Sequence, residues 1–205
     1  MITRSPHIPR LEFLIPADTT KKYTTLLQAG ILEARSAPTT VGELLASLPG
    51  FTMQYIRERI ETIFLNGLPV DDLETKINGP SPVLAISAVM PGLAGAIFRK
   101  NSFHAALRTS TSDSLADKLP STEKITIRLK FFNIIATERG GTIFHNGCLM
   151  KSESVLKFIN YRRHLFSHLL SLHCDDTPVG LDDLGSILHS SETVFLRIQE
   201  DHVST

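Results

Sequence analysis

An α+β fold in two tandem units is what this sequence predicts, and three patterns carry that expectation. Short runs alternate apolar and polar residues at period two, the signature of half-buried strands: LEFLIP from residue 11, ITIRLKF from 125 and ETVFLRIQ from 192. Between such runs lie helical segments that carry their own start signals. The order of elements in residues 8–95 then recurs in 123–200, with 96–122 as a connecting segment rich in Ser and Thr.

Composition narrows the function classes. The 205 residues suffice for one large domain or two small ones, and 21 basic residues balance 21 acidic ones. Without a net positive field, neither nucleic acid nor an anionic membrane is an expected partner. MITRSPHIPR lacks an apolar run of signal-peptide length, so a cytoplasmic location is expected. The longest uncharged stretch, Val83 to Phe98, is short for a membrane span and is interrupted by Pro91, Gly92 and Gly95. Two cysteines and no CxxC pair give neither a zinc half-site nor a disulfide framework, and no cofactor is expected.

In chain order, Leu11, Phe13 and Ile15 share one strand face ended by Pro16. DTTKKYTTLLQAG reads as a short helix capped by Asp18 or Thr19 and stopped at Gly30, and ILEARSAP as a second strand. In TTVGELLASL, Thr40 stands three residues before Glu43, the capping-box spacing, and Val41, Leu44, Leu45 and Leu48 form a buried stripe. Thr52 caps a further helix, QYIRERIE. TIFLNGLPV is a strand turned by Asn66–Gly67, followed by the acidic connection DDLETK and the strand VLAISAVM. In the second half ITIRLKFFN points Ile125, Ile127, Leu129 and Phe131 inward. A short helix IIATERGG, a strand within TIFHNGCLM and a long helix SESVLKFINYRRHLFSHLL come next, and ETVFLRIQ closes the chain.

The halves align on Asp71-Asp72-Leu73 with Asp182-Asp183-Leu184, which carries Val83 onto Val194; Pro69–Val70 matches Pro178–Val179, and Thr40–Val41 matches Ser154–Val155. On TTVGELLASL, IETIFLNGLPV, ITIRLKFFN and VLAISAVMPGLAG, each unit resembles the ubiquitin-like β-grasp proteins, in particular the small sulfur carriers of molybdopterin and thiamine biosynthesis. The resemblance implies two tandem β-grasp units. Those carriers act through a free C-terminal Gly-Gly, whereas this chain reads Gly92-Leu93-Ala94-Gly95-Ala96 and continues, and its second half ends QEDHVST. The fold alone therefore transfers.

The expected function is a non-enzymatic, ubiquitin-like adaptor that engages another protein through a sheet face or through the exit loop Pro91, Gly92, Leu93 and Gly95, with self-association as a further partnership. One rival is an accessory or degenerate carrier in sulfur transfer, active if processed after Gly95. Another is a metal-binding protein: His164 and His168 stand at i and i+4, with His173, Cys174, Asp175 and Asp176 close behind. Against metal, Cys174 aligns with the core position Leu65. Cys148 beside His145 lacks an orienting third group for thiolate chemistry. The acidic pairs at 71–72 and 182–183 read as turns or caps, and Gly140–Gly141 as a turn. VLAISAVM carries no charge, so its outer face, taken as Leu84, Ile86 and Ala88, is expected to be covered by residues 93–107 through Leu93, Ile97, Phe98 and Phe103.

Overall fold

A computed structural model describes residues 7–88, 92–100, 102–103 and 124–201; within it the side chains of residues 93 and 94 lie outside the described set. The protein is mixed α and β, built on mixed sheet. Its strands and helices run β1 (Arg10–Pro16), two 3-10 turns (Thr20–Lys22 and Thr24–Gln28), β2 (Ile31–Ser36), β3 (Thr39–Thr40), α1 (Val41–Ala46), α2 (Met53–Arg59), β4 (Thr62–Leu65), β5 (Leu68–Pro69), β6 (Lys76–Ile77), β7 (Val83–Ser87) and α3 (Gly92–Phe98). They continue with β8 (Lys124–Phe131), α4 (Asn133–Asn146), β9 (Cys148–Lys151), α5 (Ser152–Tyr161), α6 (Arg163–Phe166), β10 (Ser171–Cys174), β11 (Thr177–Pro178), α7 (Leu184–His189) and β12 (Thr193–Asp201).

Compaction and repetition divide the chain differently. The expected repeat follows the two sequence halves, but one compact unit comprises Met1–Ile31 with Gly140–Thr205 and the other Leu32–Arg139. Each thus holds the first strand of the other half. In the discontinuous unit the strand order is β11-β10-β1-β12-β9, with β1 parallel to β12 and antiparallel to β10. In the 32–139 unit it is β2-β8-β7-β4-β5, with β8 parallel to β7 and β7 antiparallel to β4.

The local signals of the sequence have clear structural counterparts. Thr40 accepts from the Glu43 amide while Glu43 Oε2 accepts from the Thr40 amide at 2.9 Å, completing the capping box of α1. Thr52 accepts from the Tyr55 amide to open α2. Asn66 and Gly67 have φ of 53° and 83°, which makes the tight β4–β5 hairpin, and the corresponding Asp175 and Asp176 have φ of 49° and 64° between β10 and β11. Matching backbone bonds follow both turns, Val70 to Ile63 at 2.9 Å and Val179 to Leu172 at 3.1 Å.

Other expectations are corrected. Residues 18–30 form two 3-10 turns in place of an α-helix, and Thr19 spends its hydroxyl on the Pro16 carbonyl rather than on a cap. The helix after β8 is not short: α4 runs through Gly140–Gly141 and stops at Gly147, whose φ is 80°. Gly140 serves close approach, since a Cβ there would stand 2.5 Å from Thr24 Cγ2. The segment 152–170 is not one long helix. Phe158 and Phe166, eight residues apart, would lie about 12 Å apart along a continuous helix, whereas their ring centroids meet at 6.0 Å, edge to face. The break at Arg162 lets α6 fold back so that Phe166 also meets Phe13 and Tyr23 at 5.7 Å. Helix α5 begins at Ser152, so Ser154 lies inside it and does not correspond to the cap Thr40.

The gapless match of Val83 to Val194 is one residue out of step. Val194, Leu196 and Ile198 are buried, while in β7 the buried residues of matching phase are Leu84, Ile86 and Ala88. A slip of one exchanges the faces of a strand. The face expected to need a cover is therefore the core face, and Val83, Ala85 and Ser87 point the other way.

Candidate functional site

The register of the 32–139 unit sorts its side chains into two faces. Leu65, Leu84 and Leu129 lie opposite one another on β4, β7 and β8, and Ile63, Ile86 and Phe131 form the next core row. On the opposite face the row reads Phe64, Ala85, Lys130, with Val83 beside Arg128. These outer residues are half-buried. Phe98 of α3 stacks on Phe64 with ring centroids 5.4 Å apart, so the expected cover is supplied there by one ring. Phe103 is 95% exposed.

Beyond Phe98 the outer face opens as a depression of 440 Å³ whose walls include Phe64, Val83, Ala85 and Phe132, with Lys130 at its rim. At its edge the Asn133 amide donates to Ser87 Oγ at 3.0 Å. Thr62, 1% exposed, also lines it, and its Oγ1 has no hydrogen-bond partner. Arg128 and Lys130 form no ion pair among the described residues, unlike Arg59, Arg99, Arg163 and Arg197. The arrangement is an apolar hollow with one unused buried hydroxyl and two available cations. It can hold an apolar group and attract negative charge; it has no nucleophile with a base beside it.

The densest polar cluster of the same unit is closed on itself. Glu138 accepts from Tyr55 Oη at 2.7 Å and pairs with Arg59, while the Arg139 guanidinium lies 3.7 Å from the centre of the Tyr55 ring. Arg59 and Tyr55 donate to Glu138 and hold its carboxyl below the ordinary value, and burial, then Glu138, pushes the Tyr55 phenol up to about 12. Both shifts move these groups away from neutrality, the opposite of what an acid–base pair requires.

The residues singled out from sequence fall as follows. Gly92 and Gly95 lie on α3, so the segment expected as an exit loop is helical there; Gly92 is exposed at φ 73° and Gly95 is buried. Pro91 and the side chain of Leu93 lie outside the described residues. His164 is in α6 and His168 beyond its end, so the i, i+4 pair does not share a helix, and both are exposed. No group of three or more His, Cys, Asp or Glu among the described residues is placed to hold a metal ion. Cys174 is only half-buried, unlike its core counterpart Leu65; its thiol faces Asp175 Oδ2 at 3.7 Å, and burial first, then Asp175, pushes its pKa up, the wrong direction for a nucleophile. Cys148 is buried in β9 and His145 exposed on α4. The acidic pairs serve turns: Asp72 accepts from the Glu74 amide, Asp183 from the Gly180 amide, and Asp182 pairs with Arg163 at 2.6 Å.

The chain matches no known family model, no curated protein and no solved structure. No helix among the described residues is long and apolar enough to cross a membrane.

Proposed function

We propose that the protein is a non-enzymatic interaction module of two ubiquitin-like β-grasp units, and that a partner protein docks on the outer sheet face of the 32–139 unit. In the 32–139 unit a central parallel strand pair flanked by antiparallel strands, with a capped helix after the second strand position, supports the β-grasp reading; in the other unit β12 and β1 stand in the reverse order, with β12 beside β9. The observation that carries the docking reading is the half-open apolar depression between Phe64, Val83, Ala85 and Phe132, on a strand that keeps no charge on either face. Apolar area of that kind stabilises a complex when a partner removes it from water, at about 25 cal/mol per Å² before the costs of association.

The test is a photo-crosslinking amino acid at position 85 of the full-length chain, expressed in its source cells, with position 199 of β12 as the control. A discrete adduct from 85 that is absent from 199, and is lost when Val83→Arg is added, is the expected result. Equal labelling from both positions, or none from 85, would refute the assignment.

A further inference from the structure

We infer that the segment recognised by this face is acidic and apolar: a large aliphatic or aromatic anchor flanked by Asp or Glu, its anchor in the hollow and its carboxylates over Arg128 and Lys130. This rests on the docking reading above and adds the chemistry of the partner. Three observations select that chemistry. The hollow is walled by aromatic and aliphatic side chains, so its occupant is apolar. Arg128 and Lys130 stand directly across from Val83 and Ala85 on the neighbouring strand, and Lys130 lines the hollow. Neither is neutralised among the described residues, whereas Arg197, outward on β12 of the other unit, has Glu12 at 3.5 Å. A basic segment would meet two uncompensated like charges here, and an acidic one meets its complement. The third observation is Thr62, which lines the same hollow and whose buried Oγ1 has no hydrogen-bond partner among the described residues. Leaving such a group unsatisfied disfavours the free protein, and a polar atom of the bound segment relieves it.

Thr62→Val separates the two roles. Exchanging the orphan hydroxyl for a methyl group raises the melting temperature of the free protein, because an unsatisfied group is removed from the interior. The same change weakens binding severalfold, because the hydrogen bond to the segment is lost.

The experiment is selection of a random dodecapeptide library on the full-length protein, with counter-selection against Val83→Arg and Ala85→Arg, each shown by circular dichroism and melting to be folded. Enriched peptides should place Leu, Ile or Phe next to Asp or Glu. An enriched peptide should lose about tenfold in affinity on the double change Arg128→Glu with Lys130→Glu, the size expected for two partly screened charge contacts, and should weaken as salt is raised. Enrichment of neutral or basic peptides, or affinity indifferent to the charge reversal, would overturn the inference while leaving a partner on this face. No enrichment over the two variants, together with no adduct from position 85, would remove both the inference and the docking reading. One-to-one binding of a fluorescent fatty acid, blocked by Val83→Arg in the absence of any peptide signal, would reassign the hollow to small amphiphiles and equally overturn it.

Discussion

Strands β7 and β12 each close the strand series of their sequence half, but not at the same place in the sheet, since β12 stands beside β9 where the 32–139 unit has β8 beside β2, and they treat their outer faces in opposite ways. On β12 two outward groups, Phe195 and Arg197, have answers within their own unit. Phe195 lies under the Arg10 guanidinium at 4.7 Å and against Gly147, where a Cβ would stand 2.1 Å from its ring, and Arg197 pairs with Glu12 at 3.5 Å. On β7 the outward Val83 and Ala85 face a hollow, and the cations beside them have no acidic partner among the described residues. The two strands differ in that one outer face is met by local pairing and the other borders an open hollow. The contrast, more than the shape of either unit, marks where a partner belongs.

The largest way to break this contrast is through the core face of β7. Leu84→Ala removes a fully buried side chain and should cost about 2–5 kcal/mol in denaturant unfolding, whereas Ala85→Arg, one residue along, should change stability by no more than about 0.5 kcal/mol. If the two cost the same, the faces are assigned the wrong way round. Gly147→Ala comes next. It forces a side chain into a left-handed position and into the Phe195 ring, so a loss of about 1–3 kcal/mol is expected. A neutral result would show that Phe195 is not held there.

Smaller effects sharpen the comparison. Phe98→Ala uncovers Phe64 and should cost about 1 kcal/mol, since only part of the ring is removed from water, with new binding of an apolar dye. Phe103→Ala should do neither, because its side chain is almost wholly exposed. Arg197→Ala removes a half-buried, partly solvated pair and should cost less than about 1 kcal/mol, weakening at high salt; a larger loss would mean that this face depends on that pair. The smallest effect is on pH dependence. Glu138 is held below its ordinary value of 4.5 by Arg59 and Tyr55. Its contribution is therefore fully present above that value and is lost as the pH falls through the depressed one. Glu138→Gln should lower stability near neutrality, where the contribution is present, and flatten the acid limb of the profile, as read by urea midpoints from neutral to acid pH.

What the sequence disclosed was local. The capping box at Thr40–Glu43, the Thr52 cap, the Asn66–Gly67 turn and the inward row Ile125, Ile127, Leu129, Phe131 are each written within a few residues, and each is found. What escaped was set by distant residues. Gly140 looked like a turn because its reason for being glycine, Thr24, lies far away in the chain. The break at Arg162 follows from ring packing onto Tyr23 and Phe13, which no pattern in residues 152–170 records. The outer face of β7 was misassigned because a strand apolar on both sides carries no phase signal, so an alignment one residue out of step went unchecked. The unpaired cations of β8 were visible as polar positions, but that they lie beside the β7 hollow depends on a parallel pairing between sequence halves.

The exchange of first strands also sets a timetable for synthesis. Strand β8 is the last strand that the 32–139 unit needs, so that unit can close once residue 139 has left the ribosome. Strand β1, made first, must wait, because its parallel partner runs from Phe195 to Asp201. At roughly 5–20 residues per second of translation, Leu11, Phe13 and Ile15 spend several seconds more without the strand that shields them. A nascent chain that stalls in that interval presents a finished unit behind an unpaired, apolar leading strand, which is the kind of surface that holding chaperones bind.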